Sequence, residues 1–370
     1  MSTTEQLFRQ RELTEDEVAS DSQSPKRHVS VLEATRPINF STLHQGFQGE
    51  GGMARAVNDS LLNSGAVLLR DFPIDQVDQA ETLLQTLNIQ FDHEYLGGGS
   101  PRSKLSDHFF TSTDAPPSYI VGFHTEMCYL RRRPGKVFFY CMEEPEKYGE
   151  TIVFDCAAAW QVLPPELREK IETLGMRYQR YFMPKKAKFF NIYVSWMDAF
   201  NTQDREEAEQ ACTKQGLSFK WRKNGGLDTW NDLPGVLSHP KTGEQCLSLT
   251  LFNGHAMPDD IDRFAPRMNL LTRYGLSNLV KYTFKKKTVF MRTLWGDGSE
   301  ITKAETQVIL DAVWKGSTLF NWRKDDLLLL DNIRCGHGRM NVTQPRRIAA
   351  ALGDTYSLDE MTEYKQSVSA

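Results

Sequence analysis

The chain has 370 residues, 40% hydrophobic and 25% charged, with 25 Gly and 16 Pro, an ordinary globular composition that excludes collagen-like, coiled-coil and wholly disordered classes. Its 44 Lys+Arg against 48 Asp+Glu leave a net charge of -4, which argues against a nucleic-acid partner, since nucleic-acid-binding domains carry a basic excess. Six cysteines without a C-x-x-C pair exclude zinc ribbons and thioredoxin-like motifs, and with no apolar run of bilayer length the chain reads as cytoplasmic, with no membrane partner.

Residues 1–30 carry too few apolar side chains for a core and read as a flexible tail. A single domain is expected over 31–365. Ala54, Val57 and Leu61 fall at helical spacing before Gly65, and 66–70 reads as a buried strand. A second helix is expected near 76–87, and a Gly-rich loop at 97–101. From 119 onward strand signals dominate: 119–129, 136–142 and 149–154, with 131–135 as a turn. Asp155 is a plausible N-cap for a helix broken at Pro164-Pro165. Residues 204–215 form a polar helix closed by Gly216, and Thr302 with Glu305 makes a capping box for a helix ending near Trp314. The four leucines 327–330 read as a strand buried on both faces, and 347–353 closes the series. The expected class is mainly β with flanking helices, a double-stranded β-helix (jelly-roll) barrel carrying a large helical and loop insert at about 178–290.

One constellation carries chemistry. His124-Thr-Glu126 falls within the predicted 119–129 strand, where side chains two apart face the same way, so imidazole and carboxylate can serve one metal. A lone strand histidine is more often structural, and a second histidine changes that balance. His337, in Arg334-Cys-Gly-His-Gly-Arg339, stands between two glycines beyond the leucine strand, although it too could be a loop imidazole bonded to backbone. Two His and one carboxylate compose the facial triad of non-heme Fe(II) oxygenases. Ten residues on, Arg347 offers a bidentate guanidinium for a carboxylate, with Arg346 alternating to the other face. Thr151 adds a hydroxyl to the same carboxylate. Together these residues describe a site that chelates a metal and clamps a 2-oxo dicarboxylic acid.

Phe123-His-Thr-Glu-Met127, Gly149-Glu-Thr151, Leu327-Leu-Leu-Leu-Asp-Asn332, His337-Gly-Arg339 and Pro345-Arg-Arg-Ile348 are the residues on which the chain resembles the taurine dioxygenase-like (TauD/TfdA) family of Fe(II)/2-oxoglutarate-dependent oxygenases. Thr242-Gly-Glu244 and Trp295-Gly-Asp-Gly-Ser299 draw it toward the SyrP-like branch of antibiotic-biosynthesis hydroxylases. The resemblance spans about 50–355. It implies His124, Glu126 and His337 as iron ligands, and Arg347 with Thr151 at the distal carboxylate of 2-oxoglutarate. It also implies an oxygenase that uses O2 and releases succinate and CO2 while oxidising, most simply hydroxylating, a C–H bond. Desaturation, epoxidation or ring formation uses the same ligands, and a jelly-roll binding protein without catalysis is the reading from another class. Ala351 stands where the family's taurine enzymes place a further arginine, which disfavours taurine. Glu126 stands where related halogenases leave room for chloride, which favours hydroxylation.

The substrate is expected to be a small molecule, a metabolite or biosynthetic intermediate, free or tethered to a carrier protein. Basic runs at 131–133, 185–188 and 285–287 suit an anionic substrate or an acidic carrier, or are solvated loops. His108, Asn253 and His255 are candidate substrate contacts. The aromatic-rich stretch 178–200 is a lid, a surface for a homo-oligomer, or core.

Overall fold

A computed structural model of the chain describes residues 7–19, 28–48, 52–92, 103–112, 120–184, 195–257, 259, 269–285, 291–342 and 346–361. The chain divides into two compact units, one of 1–162, 237–248 and 311–370, the other of 163–236 and 249–310.

The first unit holds the candidate site. Its seven-stranded sheet runs in the order Phe8–Glu12, Ser30–Ala34, Ala66–Arg70, Leu327–Asp331, Lys136–Glu143, Arg347–Gly353, Phe110–Thr111. All neighbours are antiparallel except Ser30–Ala34 beside Ala66–Arg70. A four-stranded antiparallel sheet runs Ser317–Phe320, Thr151–Asp155, Cys335–Arg339, Val121–His124. The leucine strand shows how the layers form. Leu328 and Leu330 join Val137, Phe139, Ile348, Ala350, Val153 and Phe320 in a cluster contributed by both sheets. Leu327 and Leu329 face the other way, against the helices Phe40–Gln48, Met53–Ser64 and Val77–Gln85. Side chains alternate along a strand, so a strand covered on both faces must be apolar throughout.

Two expectations need correction here. The jelly-roll barrel does not form: the strands build separate open sheets, and none among the described residues closes on itself. The seven-stranded sheet ends at the two-residue strand Phe110–Thr111 on one side and at the charged strand Phe8–Glu12 on the other, and neither edge pairs with a further strand among the described residues. The chain start is not all tail, because residues 8–12 pair in register with 30–34 and Leu13 is buried in the shared core. Composition misled because the charges of this segment are answered inside the fold: Arg11 pairs with Glu17 and Glu33.

Local signals largely hold. Gly65 ends its helix with φ 73°, a left-handed value that costs a glycine nothing. The Asp155 carboxylate accepts from the Ala157 and Ala158 amides at the start of Cys156–Val162, and Thr302 and Glu305 cap reciprocally. The second unit has its own sheet, Ser218–Trp221, Leu227–Leu233, Met176–Phe182, Met291–Trp295. In the aromatic stretch, Tyr178, Tyr181, Phe182 and Trp196 are core, whereas Phe189, Phe190 and Tyr193 lie outside the described residues. No helix of the described residues is long and apolar enough to cross a membrane.

Candidate metal centre

Three strands of the four-stranded sheet bring the site together. His337 lies opposite His124 on one side and Val153 on the other. The strands approach closely because both neighbours of His337 are glycines. A methyl group at 336 would collide with the Phe154 ring and lie 2.9 Å from the His124 carbonyl, and one at 338 would lie 2.8 Å from the Val121 carbonyl.

The strand that carries His124 is shorter than expected. It ends at His124, and residues 126–129 turn away from it. Glu126 therefore reaches the site from a turn rather than by strand alternation. The turn is held from the far end of the sequence: the Asn332 side chain accepts from the Glu126 amide (2.7 Å) and donates to the Glu126 and Pro134 carbonyls (3.0 and 2.8 Å). Met127 follows with φ 55°, a region that non-glycine residues enter at a cost.

The donor atoms of His124, Glu126 and His337 lie within 4.8 Å of one another. Glu126 Oε2 is 3.7 Å from His124 Nε2 and 3.5 Å from His337 Nε2. His124 Nδ1 stands 2.9 Å from the Gly122 carbonyl, so Nδ1 keeps the proton and Nε2 presents its lone pair. The Phe139 ring packs edge-on to His337 at 5.1 Å. Two imidazole nitrogens and one carboxylate oxygen, nearly buried, are a donor set that fits a divalent iron.

Two positions along the Thr151–Asp155 strand from Val153, and on the same face, Thr151 is buried opposite Arg339. Here the arginine assignment is corrected. Arg346, not Arg347, joins Thr151: its Nη1 donates to the Gly149 carbonyl at 2.6 Å and stands 3.4 Å from Thr151 Oγ1. Arg347 is exposed. The phase of the strand explains this, because Ile348, Ala350 and Leu352 face the core shared by the two sheets while Ala349 and Ala351 face the helices. Arg346 shares the phase of the first set. Ala351 lies on the opposite face, among the side chains that meet the helices. Burial pushes the Arg346 guanidinium down to about 9, with Arg339 adding repulsion, and burial brings Arg339 down to about 10. Two desolvated cations thus sit beside a threonine hydroxyl, two strand positions from the triad, about 7 Å along the strand.

His108 is committed to Glu81, with Nδ1 2.7 Å from Oε1, and stacks on Phe91. Asn253 caps its own turn, accepting from the His255 and Ala256 amides and donating to Thr306. His255 is exposed in the second unit. The basic run at 131–133 splits: Arg131 pairs loosely with Asp359, while buried Arg133 donates to the Leu130 carbonyl and Ser248. The run 185–188 and residues 286–287 lie outside the described residues. Sequence reasoning did not single out Asn332, Arg339 or Trp322, whose indole donates to Thr151 Oγ1 at 2.9 Å. The Asp331-Asn332 pair directly after a buried strand was the one visible signal.

Residues 42–352 match the family model described as taurine catabolism dioxygenase TauD, TfdA family. A clavaminate synthase-like protein of Arabidopsis thaliana is 28% identical, over 80% of this chain and 83% of that protein. The dapdiamide synthesis protein DdaC of Enterobacter agglomerans is 26% identical, over 80% and 84%. Among solved structures, the PvcB protein of Pseudomonas aeruginosa shares the fold at a TM-score of 0.50 and 14% identity, covering 95% of this chain and 93% of that one.

Proposed function

The chain belongs to the taurine catabolism dioxygenase TauD, TfdA family, and from that premise we propose that it hydroxylates a small biosynthetic intermediate at an iron held by His124, Glu126 and His337. It is an Fe(II)/2-oxoglutarate-dependent oxidoreductase acting on a small molecule. The observation that supports the site assignment is the approach of two imidazole nitrogens and one carboxylate oxygen to within 4.8 Å of one another. Bound there, iron would supply the activation of O2 that couples decarboxylation of 2-oxoglutarate to oxidation of the substrate.

The chain's own residues do the rest. The Gly122 carbonyl fixes the His124 tautomer, and Asn332 fixes the backbone from which Glu126 projects. Arg346 and Thr151 hold the distal carboxylate of 2-oxoglutarate, whose charge relieves the desolvated guanidinium. Phe139 and the surrounding apolar cluster keep water from the His337 side of the site. Glu126 supports hydroxylation, since the third protein ligand is a carboxylate and no halide position is left open. The biosynthetic character of the substrate rests on the SyrP-like motifs and on the dapdiamide synthesis protein among the relatives.

The test is anaerobic addition of Fe(II) and 2-oxoglutarate, followed by a succinate-release screen over amino acids and small acids, free and carrier-bound. A visible charge-transfer band with substrate-stimulated succinate supports the reading. Absence of the band with protein known to be folded and iron-loaded would sink it.

A further inference from the structure

Thr151 Oγ1 receives two N–H groups, the Trp322 indole Nε1 at 2.9 Å and the Arg346 guanidinium at 3.4 Å. Both groups are donors only, and a hydroxyl has two lone pairs and one proton. With donors on its oxygen from two directions, the hydroxyl keeps its proton for the remaining one. A carboxylate, which only accepts, is the partner such a hydroxyl is built to meet.

We infer that Trp322 is a positioning residue that turns the Thr151 hydroxyl into a committed donor toward the distal carboxylate of 2-oxoglutarate; this rests on the cosubstrate site proposed above. The indole cannot drift. Trp322 is buried in the core shared by the two sheets, against Phe320 at 4.7 Å and in one cluster with Leu13. Its backbone is pinned on both sides. The Asn321 amide donates to the Glu17 carbonyl (2.8 Å) and the Asn321 side chain to the Asp16 carbonyl (3.2 Å). The Arg323 amide donates to Asp326 (2.8 Å), and its guanidinium reaches Glu17 at 3.2 Å. The segment that fixes the indole, 13–17, lies ahead of residue 42, where the family match begins. In this chain the start of the sequence thus acts on the cosubstrate end through one ring.

A double-mutant cycle tests this on nickel-loaded protein, where binding is read without turnover. Trp322→Phe keeps a ring and removes the N–H; Thr151→Val keeps the shape and removes the hydroxyl. Calorimetric titration should show 2-oxoglutarate bound about 3- to 10-fold more weakly by Trp322→Phe, the loss of one neutral hydrogen bond. In the Thr151→Val background the same change should cost nothing further. Affinity for 2-oxobutyrate, which lacks the distal carboxylate, should be the same in wild type and Trp322→Phe. Benzothienylalanine at 322, with sulfur in place of the N–H at constant shape, should reproduce the loss if the phenyl ring leaves a void. An equal loss in the Thr151→Val background, an equal loss for 2-oxobutyrate, or no loss at all overturns the role of Trp322 alone. Failure of the wild type to bind 2-oxoglutarate overturns the cosubstrate reading and this inference with it.

Discussion

Arg70 and Arg346 are two desolvated arginines of the same unit whose environments push them in opposite directions. Burial lowers both. At Arg70 the Asp326 carboxylate, met through two nitrogens at 2.9 and 2.6 Å, and Glu17 at 2.8 Å more than compensate, and the guanidinium is held above its ordinary value. At Arg346 the contacts are a carbonyl and a hydroxyl, Arg339 adds repulsion, and the guanidinium falls to about 9. The first cation is answered within the fold and serves stability. Among the described residues the second meets a carbonyl and a hydroxyl, the fields of Cys141 and Glu150 do not make up for burial and Arg339, and perturbed groups of that kind gather where ligands bind.

The comparison breaks most visibly if the triad near Arg346 holds no metal. His337→Ala should lower succinate formation by more than about 100-fold, since removing a ligand costs more than the 10- to 100-fold seen for outer-shell partners. Circular dichroism should stay unchanged, because the residue is one side chain on a glycine-flanked strand. Wild-type succinate formation from that variant would end the assignment.

The sharpest test exchanges the two arginines for glutamine. Arg70→Gln takes the bidentate partner from buried Asp326, while Glu17 keeps Arg11 and Arg323, and should cost about 3–5 kcal/mol in a denaturant titration, while the folded fraction binds 2-oxoglutarate normally. Arg346→Gln should leave stability unchanged or raised, yet weaken 2-oxoglutarate by about 2–5 kcal/mol in calorimetry. Arg347→Gln, on the exposed face, should stay within about 0.5 kcal/mol in both assays. A larger binding loss at 347 than at 346 would reverse the strand phase described above.

Ligand linkage gives a smaller effect. With metal present, 2-oxoglutarate at 100 times its Kd should add about 2.7 kcal/mol to unfolding, and the same concentration should add much less to Arg346→Gln. The smallest effect is in acid. Hydrogen bonds from Arg11 hold the Glu33 carboxyl at about 2, and Glu17, despite the upward push of burial, is kept well below the usual range by Arg11, the Thr14 amide and Arg70. A carboxyl with a depressed folded pKa stabilises above its unfolded value and loses that contribution as pH falls through the folded one. Melting temperature should therefore decline from about pH 4.5 down to about 2, less steeply in Glu33→Gln, and a flat profile would show these pairs to be neutral in effect.

The triad could be read before any coordinates because its residue types have few other uses in that combination. The choice between Arg346 and Arg347 could not. Residues 348–352 are Ile-Ala-Ala-Ala-Leu, buried on both faces, so no polar alternation marks which parity points inward. The larger Ile348 and Leu352 held the answer, since both sheets crowd that side. Glu126 does lie beside His124 and His337, but for another reason than the one expected: the strand ends at His124, and a long-range amide, Asn332, does what strand alternation was expected to do. The start of the chain failed as a reading because its composition shows unpaired charges, and the partners Glu33, Arg70 and Arg323 are known only from the fold. Sheet closure failed similarly, being decided at edges such as Phe110–Thr111 that no local pattern describes.

The Asn332 bond to the Glu126 backbone spans 206 residues, and the Arg70–Asp326 pair spans 256. Contacts so distant in sequence must wait for the chain between them. While the protein is being made, His124 and Glu126 leave the ribosome long before the turn that holds Glu126 in place, and long before His337. A nascent chain therefore has no complete metal site, and segment 13–17 has no Asp326 to complete its ion-pair network. A divalent metal can meet all three donor residues only once the chain is finished.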